Sequence, residues 1–297
     1  MKSVLVYLNN VQTHLITYGD PFQNNRTDVI ICISGNPGVP DFYIEFASYL
    51  HTNTGLPVCV IGQAGHEKMP DQKSNQLQGQ EHLFNLEGQV LHKLDLIHNH
   101  IEKKSKIHLI GHSIGCWMIL EMLQKDELIL QRLSSVNLLF PTLQKMSESK
   151  NGKLLNNILR PLHYFILLLF IIVYYLPESI RTYLAFSYLK LNSLPKHFSS
   201  RILKLCNPRV GEKILHLAYN EMDKVNLLNF AMIDKIKHLT RIIYNNRDNW
   251  VPPHCMNDLM QYQPLIAMKE VDIEHSFVLK SSEEVAEMAI DFITSKM

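Results

Sequence analysis

Ile107-His108-Leu109-Ile110-Gly111-His112-Ser113-Ile114-Gly115-Cys116 is the stretch on which the reading of the whole chain turns. Its first four residues are mostly apolar and end at a glycine, as a buried strand does. The next five spell Gly-x-Ser-x-Gly, and Cys116 to Lys125 then reads as a helix. Strand, sharp turn and helix form the context in which this motif lifts a serine hydroxyl above the end of a sheet. The geometry has a chemical use. The turn holds Ser113 exposed and strained, and the glycines let neighbouring backbone approach without a Cβ in the way. The helix N-terminus turns free N–H groups and its positive dipole end toward developing negative charge.

A serine hydroxyl is a poor nucleophile until a base accepts its proton, and the base needs a carboxylate to orient it. In a chain built this way the order is serine, acid, histidine. The polar loop Asn245-Asn246-Arg247-Asp248, after the apolar run Ile242–Tyr244, offers Asp248 as the acid. Val271-Asp272-Ile273-Glu274-His275, just before the closing helical region, offers His275 as the base. Asp272 and Glu274 compete for the role of acid, and His254 and His112 for that of base. His254 follows Pro252-Pro253, where a helix is expected to start, and His112 cannot easily turn back to Ser113 from inside the elbow. A tetrahedral intermediate needs two donors. The main-chain N–H of Ile114 is one, and the loop Ser34-Gly35-Asn36-Pro37-Gly38 supplies the other, with Asn36 the expected residue. A plain Pro-Gly turn is the competing reading of that loop.

Working outward, Val4–Leu8 and Val11–Tyr18 flank Asn9-Asn10 as a hairpin does. Val29–Ile33, Leu56–Ile61, Ile107–Ile110 and Ser135–Phe140 read as buried strands, and strand character returns at Arg241–Tyr244 and Leu265–Val271. Between them, Asp41–His51, Leu86–Lys104 and Cys116–Lys125 have helical spacing. The chain closes on a helix over Ser282–Ser295, with Ser281 or Ser282 as its start signal. Strands alternating with helices predict an α/β fold, a mostly parallel sheet covered on both faces.

Composition narrows the function classes. The chain has 297 residues, 46% hydrophobic and 19% charged, with a net charge of +1. That excludes wholesale disorder and gives no global basic excess for nucleic acid. Five cysteines, none at C-x-x-C spacing, argue against a disulfide framework or zinc knuckle and for a reducing compartment. The fifteen histidines are scattered without a metal-binding pair, so no metal is expected. No secretory leader is expected from the short apolar run at the N-terminus, so the sequon Asn25-Arg26-Thr27 carries little weight.

Charge and hydropathy set one segment apart. Thr142–Lys235 holds thirteen Lys/Arg against six Asp/Glu, a net +7, inside a remainder of −6. The expected organisation is therefore a core in two parts, 1–141 and 236–297, with a helical insertion at 142–235. Within the insertion, Leu162–Leu176 (LHYFILLLFIIVYYL) is fifteen residues without a formal charge, bracketed by Pro161 and Pro177. As a helix it reaches about 22 Å, short of a ~30 Å hydrocarbon core. A second apolar run, Tyr183–Leu189, follows. Three readings fit: insertion into one leaflet or a lipid monolayer, a buried core helix, or a short span. For a lipid surface, Leu162, Phe165, Leu168, Phe170, Ile172 and Tyr175 are the expected anchor, and Lys153, Arg160, Arg181 and Lys190 the contacts to anionic headgroups.

Ser34–Gly38 with Phe42-Tyr43, the elbow Leu109–Gly115, Asp248 and His275 together resemble the lipid droplet-associated hydrolases, a branch of the α/β-hydrolase superfamily. The resemblance covers most of the chain, and the apolar insertion falls where that family carries its lipid-surface segment. It implies an α/β-hydrolase fold with a helical cap. It also implies a serine ester hydrolase on the cytosolic face of lipid droplets and the endoplasmic reticulum, with sterol esters as proposed substrates. Ser34 departs from the family's usual Pro, which bears on the shape of the oxyanion loop. The chemistry needs no metal or organic cofactor. Two alternatives stand beside it: a droplet or reticulum surface protein that keeps the fold with little turnover, and a thioesterase or acyltransferase using the same residues. Epoxide and haloalkane hydrolysis are disfavoured, because they need a carboxylate where Ser113 stands.

Overall fold

A computed structural model describes residues 1–23, 28–252 and 254–297. The sequon Asn25-Arg26-Thr27 lies outside the described residues. The chain opens with β1 (Lys2–Leu8) and β2 (Val11–Tyr18). Asn9 and Asn10 turn between them at φ 47° and 65°, the left-handed pair that a two-residue hairpin turn requires. Then come β3 (Asp28–Ile33), α1 (Ile44–Thr54), β4 (Val58–Ile61), the short α2 (Glu81–Phe84) and α3 (Leu86–Asn99). β5 (Lys106–His112), α4 (Ile114–Lys125), α5 (Glu127–Gln131) and β6 (Leu133–Leu139) follow. Six helices separate β6 from β7: α6 (Lys150–Leu154), α7 (His163–Tyr175), α8 (Glu178–Leu191), α9 (Ser199–Leu205), α10 (Pro208–Lys224) and α11 (Phe230–Ile236). The chain ends with β7 (Thr240–Tyr244), α12 (His254–Met260), β8 (Ala267–Glu270) and α13 (Ser282–Thr294).

The strands form one sheet in the order β1-β2-β4-β3-β5-β6-β7-β8, with β2 antiparallel to both its neighbours and every other pair parallel. Residues alternate between its faces, as the pleat demands. Ile31, Ile33, Leu109 and Leu138 join the layer beneath α3 and α4, while Ile30, Cys32, Ile110 and Leu139 join the layer with α1 and α13. Pairing of Ile33 with Gly111, of His112 with Leu139 and of Leu139 with Ile243 brings the carboxyl ends of β3, β5, β6 and β7 to one edge. Ligand sites in open α/β sheets gather at that edge.

The expected α/β architecture is present, with several boundaries moved. The helix predicted to Lys104 ends at Asn99, where the N–H groups of His100 and Ile101 both close on the Leu96 carbonyl. Such a closure ends a helix even though Ile101 continues its apolar spacing. The helix predicted from Asp41 begins as a 3-10 turn at Pro40–Tyr43 and becomes α-helical at Ile44. β6 starts earlier than Ser135 and stops before Phe140, whose φ of 47° leaves the strand. The serines at the start of α13 make no side-chain cap; Ser282 Oγ bonds back to the Val278 carbonyl at 3.1 Å.

The segment between β6 and β7 is built in two parts. Leu143, Met146, Leu155 and, later, Leu217, Met222, Met232 and Ile236 belong to the main core. α7 is different: it is strongly apolar, yet none of its residues is buried. It lies along α10, which it meets through Phe170 against Gly211 and through His163 beside Tyr219 at 3.3 Å. Phe170 thus faces the protein rather than the solvent, a correction to its place in the expected anchor. Arg160 is likewise engaged, in a two-point ion pair with Asp223. Among the described residues no single helix is long and apolar enough to cross a membrane; residues 150–159 and His163–Tyr175 reach that length only as a pair bent by 89°.

Candidate active site

Ser113 sits between β5 and α4 at φ 55° and ψ −122°, a conformation that an L residue holds only when its surroundings impose it. Two glycines make the turn possible. A Cβ at Gly111 would lie 2.8 Å from the Cys116 nitrogen, and one at Gly115 would lie 2.6 Å from the Ile33 carbonyl oxygen.

Loops from β7 and β8 bring the other two residues to it. His275 Nε2 is 2.9 Å from Ser113 Oγ, and His275 Nδ1 is 2.6 Å from Asp248 Oδ2. The Asp248 side chain is 1% exposed, and its second oxygen accepts the Trp250 N–H at 2.8 Å. An ionised carboxylate only accepts, so the imidazole places its proton on Nδ1 and leaves the Nε2 lone pair facing the serine hydroxyl. Asn245 Nδ2 donates to the Ile273 carbonyl at 2.9 Å and ties the two loops together. The competitors stand elsewhere. Asp272 pairs with Arg247 at the surface, Glu274 lies 3.4 Å from Lys280, and His254 is 3.5 Å from Lys145.

His112 turns away from Ser113 into a buried relay. Its Nε2 lies 2.9 Å from the His275 carbonyl oxygen, which fixes the proton there. Nδ1 therefore accepts from the Tyr43 hydroxyl at 2.6 Å, and that hydroxyl accepts the Gly35 N–H at 2.9 Å. Burial, helped by the neighbouring His275, holds the His112 imidazole down to about 3, so it stays neutral. The relay consumes the Gly35 amide. Among the described residues, the N–H groups of Asn36 and Ile114 donate to no protein acceptor, and both flank Ser113. Gln63 supports the loop from below, donating to the Ser34 carbonyl at 2.7 Å and accepting from the buried Lys93 Nζ at 2.6 Å.

Sequence reasoning gave no role to Tyr43, Trp250 or Glu221. Tyr43 entered only through the resemblance, without a role, and Trp250 carries no signal beyond its type. Glu221 does carry one, because it falls on the apolar row of α10 with Val210 and Leu217.

A cleft of about 400 Å³ opens above Ser113 and His275. Its walls are apolar: Phe42 and Val278 from the core, and Tyr188, Leu194, Ile202 and Leu205 from the insertion. A second cluster, His14, Asp41 and Glu67, brings potential metal-ligand atoms within 4.8 Å of one another. The Lys204 ammonium already bridges its two carboxylates, pairing with Asp41 and lying 3.1 Å from Glu67, and so docks α9 there.

The family model described as lipid-droplet associated hydrolase matches residues 26–278. The chain belongs to the lipid droplet-associated hydrolase family. A relative from Drosophila melanogaster bearing that name is 37% identical over 99% of this chain and 98% of its own. One from Homo sapiens is 34% identical over 89% and 83%. Among solved structures, the thioesterase domain from the curacin biosynthetic pathway aligns with a TM-score of 0.65 at 13% identity, over 98% of this chain and 99% of that one. A putative lipase from Acinetobacter baumannii aligns at 0.65 and 16%, over 99% and 91%. These likenesses show the α/β-hydrolase fold. The stretch matched to the lipid droplet-associated hydrolase family takes in Asn36, Ser113, the apolar helices, Asp248 and His275.

Proposed function

We propose that the chain is a serine ester hydrolase of lipid esters, working where an apolar phase meets water. Ser113 is the nucleophile, His275 the base and then the acid, and Asp248 the group that orients the imidazole and favours its protonated form. The main-chain N–H groups of Ile114 and Asn36 hold the oxyanion. Attack by Ser113 Oγ on the ester carbonyl sends its proton to His275 Nε2. Collapse of the tetrahedral intermediate returns that proton to the leaving alcohol, and a water then clears the acyl-enzyme by the same path. The observation that carries this reading is the unbroken Ser113–His275–Asp248 contact at the foot of an apolar cleft.

The same reading puts the protein at lipid droplets, as the names of its relatives suggest, and extends this to their cytosolic face and the endoplasmic reticulum, with sterol esters the proposed substrates. Its support is the surface of the insertion. Seven large apolar side chains of α7 and six of α8 are at least 40% exposed, Tyr164, Tyr175 and Leu191 most of all. At even ~1 kcal/mol for each, seating them in an apolar phase yields on the order of 10 kcal/mol, enough for stable interfacial docking without a span. Lys153 and Lys190 are exposed beside them and free to meet anionic headgroups.

A fluorophosphonate probe labels the wild-type protein at Ser113 and fails on Ser113→Ala, whose ester turnover falls by roughly 10⁴-fold or more. Equal labelling of the two overturns the assignment. An ester and thioester panel, presented as micelles and as coated droplets, separates ester hydrolysis from acyl transfer and thioester cleavage.

A further inference from the structure

Helix α10 has a different partner on each side. Outward it carries α7: Arg160 pairs with Asp223 at 2.8 and 2.9 Å, His163 lies beside Tyr219, and Phe170 covers Gly211. Inward it reaches the oxyanion loop. The Asn36 side-chain amide donates to the Ile214 carbonyl at 3.2 Å and to Glu221 Oε1 at 2.9 Å. Asn36 Oδ1 is buried and has no partner among the described residues, so the amide nitrogen alone holds this side chain.

Glu221 is out of place as a packing residue. It is 2% exposed on the apolar row of its helix, and a buried carboxyl costs free energy unless it makes a needed hydrogen bond. Its one side-chain hydrogen-bond partner among the described residues is Asn36. Burial pushes the Glu221 carboxyl up to about 8, against the pull of the Asn36 hydrogen bond, so at neutral pH it is an uncharged acceptor.

We propose that Glu221 is a positioning residue for the oxyanion hole: with the Ile214 carbonyl it grips both hydrogens of the Asn36 amide and so fixes the direction of the Asn36 main-chain N–H. This rests on the reading that Asn36 and Ile114 hold the oxyanion. Such an N–H acts on charge that exists only in the transition state, so its misdirection lowers kcat and leaves ground-state binding alone. The same helix bears the apolar α7 on its other side. One rigid element therefore joins the lipid-facing surface to the catalytic loop.

The test uses the full chain, a soluble short-chain nitrophenyl ester and a trifluoromethyl ketone, which adds the serine oxygen and presents an oxyanion. Glu221→Met keeps the volume and removes the acceptor, and Glu221→Gln keeps the acceptor. The expected result for Glu221→Met is a kcat lower by roughly tenfold or more, KM within about twofold, and ketone affinity weakened by the same factor as kcat. Glu221→Gln stays within about threefold of wild type. Asn36→Ala reproduces the Glu221→Met loss, and the double variant adds little to it, as for two residues acting through one contact. Where Glu221→Met folds poorly, Asn36→Ala alone carries the test: kcat and ketone affinity fall together there, and an unchanged kcat overturns the role. Unchanged ketone affinity in Glu221→Met, a change confined to KM, an equal loss in Glu221→Gln, or full additivity with Asn36→Ala overturns the positioning role. Absence of Ser113-dependent fluorophosphonate labelling in the wild type overturns instead the reading of the site on which the role depends.

Discussion

His112 and His275 are 5.2 Å apart, ring centre to ring centre, yet their surroundings give them opposite tasks. His275 presents a lone pair to a hydroxyl beside an apolar cleft. His112 is enclosed, donates to a carbonyl and accepts from a phenol, and so spends both nitrogens on structure. Tyr43 is the hinge of that arrangement, because its hydroxyl serves the Gly35 N–H and the His112 Nδ1 together. Tyr43→Phe leaves both without a partner in a buried place. The expected outcome is a loss of about 1–3 kcal/mol in urea-unfolding stability, with Ser113 labelling slowed but not abolished. A variant as stable as wild type removes the relay from the account of the oxyanion loop. Ser113, Asp248 and His275 were legible in the sequence because each has a fixed order and follows an apolar run. Tyr43 and Glu221 were not, because no motif or fixed chain order points to their partners, His112 at 69 residues' distance and Asn36 at 185.

At the scale of elements, α7 shows what hydropathy can and cannot say. Fifteen uncharged residues between two prolines fixed a helix and its approximate ends, but the same pattern suits a core, a span and a surface helix. Only the neighbours discriminate. α10 offers α7 a contact row that includes Phe170 over Gly211, and the opposite side of α7, with Leu168 and Ile172, is exposed. Two substitutions separate these faces. Leu168 and Ile172, 49% and 50% exposed, lie away from α10. Changing both to Glu is expected to release the protein from phospholipid-coated oil droplets in a flotation assay while shifting the urea midpoint little, since exposed substitutions away from special features stay within about 0.5 kcal/mol each. Retention on droplets by this variant rejects α7 as the anchor. α8 connects the two surfaces, because Ala185 and Leu189 are buried, Tyr183 and Leu184 are exposed, and Tyr188 also lines the cleft above Ser113. On the proposed function, substrate leaving an apolar phase meets the helix that walls the site.

Over the whole molecule, the sheet was the most legible feature. A run such as Val29–Ile33 is apolar on both faces, as a strand between two helical layers is. Strand order and the helix ends were less legible, because they depend on closures such as that of His100 and Ile101 on Leu96. The same thick two-layer burial has a consequence for stability. Besides His112, burial holds His66 down to about 3, helped by Lys93 and Lys213, and His108 down to about 4. These imidazoles are neutral when folded and take up protons near pH 6.5 when unfolded. Their folded values are depressed, so their contribution is fully present above about pH 6.5 and drains away as pH falls toward 3 or 4. Glu221 works in the opposite sense. Its folded value of about 8 lies above its unfolded one, so its contribution is present at low pH and lost as pH rises through about 8. Burial also holds His92 well below the usual imidazole range and lowers His216, so between pH 6 and 5 the unfolded chain binds several imidazole protons that the folded chain lacks, against the one that folded Glu221 keeps. Each net proton is worth about 1.4 kcal/mol per pH unit, so the sum is a large part of a stability that is typically ~5–15 kcal/mol. Urea midpoints are expected to fall steeply from pH 6.5 to 5, and His66→Gln to make that fall shallower by about one proton. A midpoint that stays level across this range means that the buried imidazoles are not held neutral, and the relay through His112 fails with them.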